Sequence, residues 1–251
     1  MRRQFLSSLI GLLGSCAVSV PAQAEPSDFM YLGDLGGAIT TSTARGITGD
    51  GLIIVGDSYS ANGNEAFRWT SGGGMVGLGD VAGASFYSAA NGVSADGNAA
   101  AGVGFGTFGY TSSYWTSGGG MVDLGDFAGG TTYSLANGIS DDGLVVVGFG
   151  SSALGTEAYR WTSGTGLVGL GDLPGSIFLS IAQGVSGDGL TVVGFSLSAN
   201  GTEAFKWTSG GGMVGLGDLA GGSFQSVAYK ANTDGSVIVG YGASASGQEA
   251  F

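Results

Sequence analysis

Several residue sets recur along the chain at spacings that could do chemistry. The first is a Glu-x-x-x-Trp pattern, in Glu65 and Trp69, Glu157 and Trp161, and Glu203 and Trp207. An aromatic face beside a carboxylate can stack on a sugar ring and bond its hydroxyls, and near-identical copies would bind with avidity. The same residues also have a bland use, because Trp and Phe are what neighbouring sheets pack with. A second set is the acids. Glycoside hydrolysis needs two carboxylates roughly 5 to 9.5 Å apart in different surroundings, and such a site must be singular. Nearly every acid here belongs to a repeating column; Glu25, Asp28, Asp57, Asp123 and Asp141 alone stand outside one. The pattern therefore names no catalytic residue, and an acid-pair hydrolase ranks behind two binding readings.

The third set is the Asp-Gly pairs beginning at Asp50, Asp96, Asp142, Asp188 and Asp234. Calcium loops place several oxygen ligands at two-residue spacing, whereas these acids are set apart by glycine, so turn chemistry is expected and no metal. An Asp-box of the sialidase kind has a residue between Asp and Gly, which Ser94-Ala95-Asp96-Gly97 lacks. The Gly runs at 72–74, 118–120 and 210–212 precede no helix, so they read as turns and not as phosphate cradles.

Composition removes further classes. The chain has 251 residues, no His and one Cys, which excludes His-based triads, His-containing zinc sites and disulfides. Its 54 glycines are about three times ordinary usage and cannot sit in helix interiors at roughly 1 kcal/mol each. With 43% apolar residues and four Trp, it should nonetheless fold, and as β-structure. The net charge of −12 opposes nucleic acid and anionic lipid; no cofactor is called for.

The N-terminus has the form of a secretory signal over residues 1–24. Arg2 and Arg3 precede an apolar run from Phe5 to Val20, and Ala22-Gln23-Ala24 offers the small residues a signal peptidase accepts. A lipoprotein modified at Cys16, within Leu13-Gly14-Ser15-Cys16, is the minority alternative. After cleavage the chain keeps five cations against 19 acids, and the sequence places no membrane span in it unless a further C-terminal module supplies one.

The elements that must position these residues are repeats. Leu-Gly-Asp ends at Asp34, Asp80, Asp126, Asp172 and Asp218, in steps of 46, and the Trp and Asp-Gly columns keep the same step. One unit reads as strand A (Tyr87 to Ser94), an Asp-Gly hairpin turn, strand B (Leu144-Val145-Val146-Val147 in the third unit), strand C with Phe67 and Trp69 on one face, and a short strand D (Met75 to Leu78). Four short strands per 46 residues fit one β-propeller blade. The fold expected over residues 25–251 is thus an all-β propeller of five blades, with units near 32–77, 78–123, 124–169, 170–215 and a partial 216–251. A β-solenoid is the alternative, but its rungs of roughly 20 to 30 residues would impose a half-period, and Asp34 to Asp50 is 16 residues while Asp50 to Asp80 is 30.

Phe29 to Asp34 aligns with strand D, so it is expected to complete the last sheet and close the ring. The register would put a fifth Trp two residues beyond Phe251, which leads us to expect further blades or a module in the natural protein. In the second unit strand B is Ala99-Ala100-Ala101 and Thr111-Ser112-Ser113 replaces Glu-Ala-Phe. Phe105, Phe108 and Tyr110 are expected to refill its core, and this blade to be the least stable.

The unit Glu-Ala-Phe/Tyr-x-Trp-Thr-Ser-Gly-Gly-Gly-Met-Val-Gly-Leu-Gly-Asp-Leu, followed by Ala-x-Gly-Val-Ser-x-Asp-Gly, resembles the bacterial extracellular HAF repeat family, with Glu65, Glu157, Glu203 and Glu249 where that family's triplet has His. The resemblance spans residues 29–251 and implies an exported or cell-surface repeat protein of proteobacterial type, sometimes the passenger of an outer-membrane barrel; it brings no activity or site. The reading that follows is a non-enzymatic exported protein for surface attachment or recognition of an unknown ligand. A multivalent carbohydrate-binding propeller using the Glu–Trp column is the alternative.

Overall fold

The computed structural model describes residues 30–83, 85–175 and 177–251. The signal-type segment 1–24, Cys16 and Phe29 lie outside them. No helix occurs among the described residues. The nineteen strands all fall in the compact unit Leu32–Phe251.

The first blade contains β1 (Ser42–Ile47), β2 (Ile53–Tyr59), β3 (Asn64–Thr70) and β4 (Gly74–Gly77). In the second are β5 (Ser88–Val93), β6 (Ala99–Gly106), β7 (Gly109–Thr116) and β8 (Gly120–Asp123), and in the third β9 (Ser134–Ile139), β10 (Val146–Ser151), β11 (Thr156–Thr162) and β12 (Gly166–Gly169). The fourth has β13 (Ser180–Val185), β14 (Thr191–Ser198), β15 (Gly201–Thr208) and β16 (Gly212–Gly217); the fifth has β17 (Gly221–Ala231), β18 (Ile238–Ser244) and β19 (Gly247–Ala250). Each blade is an antiparallel meander in chain order. The last two run together only through one parallel bridge, Thr202 to Gln225, which matches the bridges Asn64 to Tyr87 and Thr156 to Leu179.

The repeat step is enforced at the seams between blades. The hydroxyls of Ser88, Ser134, Ser180 and Ser226 each accept the N–H of Ala66, Ser112, Ala158 and Ala204 in the preceding blade, all at 2.9 Å. Each then donates to a glycine carbonyl nine residues earlier, at Gly79, Gly125, Gly171 and Gly217. These buried hydroxyls are doubly satisfied, and losing one would strand an amide at a cost of about 1–3 kcal/mol. The apolar clusters likewise straddle seams: Val55, Ala66 and Leu78 of the first blade pack with Ala90, Ala100 and Trp115 of the second.

Two expectations are corrected. Met30 to Asp34 form no strand, and β19 has β18 as its partner with all four of its residues exposed. Leu35, just after this segment, is fastened to the first blade, its N–H donating to the Ser58 hydroxyl. β1, the first inner strand, is exposed at five of six positions, whereas β5, β9 and β13 are largely buried by the preceding blade.

Nor do Phe108 and Tyr110 refill the core of the second blade, and Phe105 is only half-buried. Phe108 is 84% exposed and Tyr110 40%. The filler comes from the next blade: Tyr159, fully buried where siblings have Phe67 and Phe205, packs with Ala101, Ala136 and Val146. Its hydroxyl donates to Ser112 at 2.6 Å, and Ser112 stands where other blades have Ala. A large residue with a polar tip thus answers small, polar residues across the seam.

Candidate functional site

The Glu–Trp column is engaged in the scaffold, its acids within a blade and its Trp rings at the seams between blades. Glu65, Glu157 and Glu203 accept the N–H of Gly79, Gly171 and Gly217 at 3.0–3.2 Å, fastening the end of strand D. Glu and Trp share a face of strand C, but four residues of strand separate them by about 13 Å, too far to grip one sugar ring. Trp69 is buried; Trp161 and Trp207 are half-buried and pack against seam clusters, Trp161 with its ring 5.2 Å from that of Tyr114. Trp115, which has no Glu partner, borders a cavity of about 310 Å³ with Arg68 and Asn98.

The second blade keeps the carboxylate by moving it. Thr111 occupies the Glu position, and Asp123 occupies the glycine position of its siblings. Asp123 accepts both the Thr111 hydroxyl and the Gly125 N–H, the latter at 2.7 Å. In the other blades a side chain at Gly77, Gly169 or Gly215 would run into the Glu carboxylate, so one blade can hold an acid at only one of the two places.

Other repeated charges are engaged in the same way. Arg68, Arg160 and Lys206, together with Tyr114, donate to the carbonyls of Gly97, Gly189, Gly235 and Gly143 in the Asp-Gly turn of the next blade. Within each turn the Asp closes on itself: Ser94 and the Asn98 N–H both bond Asp96, and Ser94 in turn accepts the Ala99 N–H. Backbone and side-chain bonds from Asn98 and the Ser94 hydroxyl bring the Asp96 carboxyl down to about 2. Asp50, Asp188 and Asp234 are lowered by equivalent bonds, led by Thr48, Ser186 and Ser236. These pairs close turns, as expected.

The Leu-Gly-Asp acids clamp the connection into the next inner strand. Asp80 accepts the N–H groups of Val81 and Tyr87, and Asp126 those of Phe127 and Tyr133. Burial raises the Asp80 carboxyl despite these two bonds.

What remains is a set of positions whose residues change along the repeats. Every inner strand carries a bulge at the same place, at Arg45, Asn91, Asn137, Gln183 and Tyr229, and bulges re-aim side chains. Flanking glycines let the inner strands pass closely: a side chain on Gly46 or Gly138 would come within 3.4 Å of the Cα of Gly92 or Gly184. Asn91 and Asn137 donate to Ala136 and Ala182 on the following strand. Arg45, Asn91 and Lys230 border an axial cavity of about 340 Å³.

Above that axis, on the edge where strands A begin and strands B end, lies a run of aromatic rings. Tyr110 meets Tyr87 at 5.6 Å, Phe105 at 5.1 Å and Tyr133 at 6.4 Å, all edge-to-face, and Tyr133 meets Phe149 at 6.1 Å. Tyr110 and Tyr133 are 40% and 42% exposed. Beside them, Arg45 Nε pairs with Asp57 at 2.5 Å. Burial holds the Tyr87 phenol above its usual range, and the nearby charges act on it in opposite senses, Asp57 raising and Arg45 lowering it. Sequence reading missed this cluster because its members are scattered over three blades and several positions of the repeat, and only Tyr87 and Tyr133 share a position as tyrosines. The available signal was that Asp57 and Tyr110 each break their column.

No family model and no curated protein match the chain. Among solved structures it is similar to a putative TolB from Agrobacterium tumefaciens (17% identity, TM-score 0.54, 81% of this chain and 70% of that one). It is also similar to TolB from Acinetobacter baumannii (16% identity, TM-score 0.52, 80% of this chain and 51% of that one). At such identities the likeness concerns fold alone, and with the sheet order it shows that the chain is an all-β propeller.

Proposed function

We propose that the protein is an exported, non-enzymatic recognition domain that serves attachment at the cell surface. One observation carries this reading: the repeated carboxylates and cations of the blades bond backbone amides and carbonyls, while a cluster of aromatic residues, with Tyr110 and Tyr133 part-exposed, gathers on one edge of the second and third blades beside the Arg45–Asp57 pair of the first. The repeated bonds build a rigid scaffold, and the loop-side edge it carries is where binding residues concentrate. The leader-type segment 1–24 supports export, and the net charge of −12 favours solubility outside the cell.

The test is fractionation and adhesion in the native host. The protein is expected in the extracytoplasmic or surface fraction, and a deletion strain is expected to attach less well than its complemented parent. A cytoplasmic product, or polysaccharide turnover that vanishes on replacing Asp57 or Asp123, would overturn the reading.

A further inference from the structure

The aromatic edge has features that a packing role does not require. Tyr110 and Tyr133 keep about two-fifths of their surface in water, yet the run is fixed from below. Asp80 holds the Tyr87 amide at 2.8 Å and Asp126 the Tyr133 amide at 3.0 Å. Tyr110 is wedged edge-on between them, at interplanar angles of 80° and 84°. In an edge-to-face pair only one face of one ring is covered, so each ring keeps a face clear of that neighbour, where stacked rings would cover each other. Tyrosine is also a side chain that loses little freedom on binding, having two torsions. The result is a pre-organised surface of ring faces and phenol hydroxyls.

The chemistry of the partner follows. A pyranose presents an axial C–H face that lies on an aromatic ring, with hydroxyls around its rim that need donors and acceptors; Tyr110 and Tyr133, 6.4 Å apart and each about two-fifths exposed, offer both ring area and phenol hydroxyls. Asp57 and Arg45 supply an acceptor and donors at the edge of the run, and because they pair with each other they add no net charge. The overall charge of −12 repels uronic or sulfated chains and nucleic acid. We propose that Tyr87, Tyr110 and Tyr133, bordered by the Arg45–Asp57 pair, form a binding platform for a neutral pyranose oligosaccharide. This rests on the recognition reading and gives it a ligand class and a single site per chain in place of a ring of equal sites.

The experiment is calorimetric titration of the full chain with cellohexaose, chitohexaose and mannohexaose, with chromatography of the mixtures to follow any cleavage. Uncleaved binding of at least one is expected, at one site per chain. Tyr110→Ala and Tyr133→Ala should each weaken it tenfold or more, and Tyr133→Phe, which keeps the ring face, should weaken it far less. Circular dichroism and unfolding midpoints of the three variants should match the parent. Three results would overturn the platform: binding of none of the three sugars, undiminished binding by Tyr110→Ala, or loss on Trp115→Ala with the tyrosine variants unaffected, which would place the site at the seam. A protein that ignores every sugar yet is exported and still promotes attachment loses the platform and keeps the recognition reading.

Discussion

At the residue scale the most informative pair is Thr111 and Asp123. The acid lost from one strand reappears on its neighbour and reaches the same Gly125 amide, so each substitution makes sense only with the other. Asp123→Gly alone should cost about 0.5–1.5 kcal/mol, the net worth of an exposed hydrogen bond whose amide water can take over, and Thr111→Glu alone should also destabilise by crowding two carboxylates. The double variant, which restores the sibling arrangement, should recover most of the loss in urea unfolding; additive losses would show that the two sites are independent. The turn acids make a second prediction. Asp50, Asp96, Asp188 and Asp234 have folded values below their unfolded ones, so their contribution is present above about pH 4 and is lost as pH falls through the folded values, to about 2 for Asp96. Asp80, raised by burial, works the other way. With four against one, the melting temperature should fall steadily from pH 5 to pH 2, and a flat profile would remove the turns from the account. For Trp161, replacement by Ala should cost roughly 3–5 kcal/mol, measured by denaturant unfolding; a change under 1 kcal/mol would mean the ring is not a packing residue.

At the scale of elements, strand order, the Asp-Gly turns and the 46-residue step were all legible in the sequence, because each rests on local chemistry repeated in phase. The role of the second blade was not legible. Its three alanines look like a cavity when the blade is read alone, and their partner Tyr159 lies far along the chain and differs from its siblings by a single oxygen. Tyr159→Phe should cost about 1–3 kcal/mol by leaving the Ser112 hydroxyl without its donor. Adding Ser112→Ala should restore stability, and double-cycle unfolding measures the coupling. The expectation about local stability also changes. β6 is buried at seven of its eight positions, whereas β1 and β19 are exposed along nearly their whole length. Amide exchange should therefore be fastest in β1 and β19 and at least as slow in β6 as in β10; fast exchange in β6 would return the weakness to the second blade.

At the scale of the molecule, five blades share one seam design but not one surface. The columns that repeat in every unit, such as the seam serines and the Asp-Gly pairs, face a neighbouring blade or close a turn, and several of the residues that vary gather at the axis and along one edge. A search for chemistry among repeated residues therefore finds the joinery, and the Glu–Trp column is its clearest case. The edge cluster could be recognised only once the fold had brought Arg45 and Asp57 of the first blade beside Tyr87 of the second, and Tyr110 beside Tyr133 of the third.

The serine that reaches back one blade has a consequence for inheritance. Each unit brings with it the hydroxyl that its predecessor needs and the amide that its successor will use, so a segment of 46 residues copied or deleted by unequal crossing-over leaves an intact junction behind it. Single-codon insertions have no such refuge. Homologous genes should accordingly differ in length by whole units, with frameshift-free gains of one blade outnumbering small indels within strands.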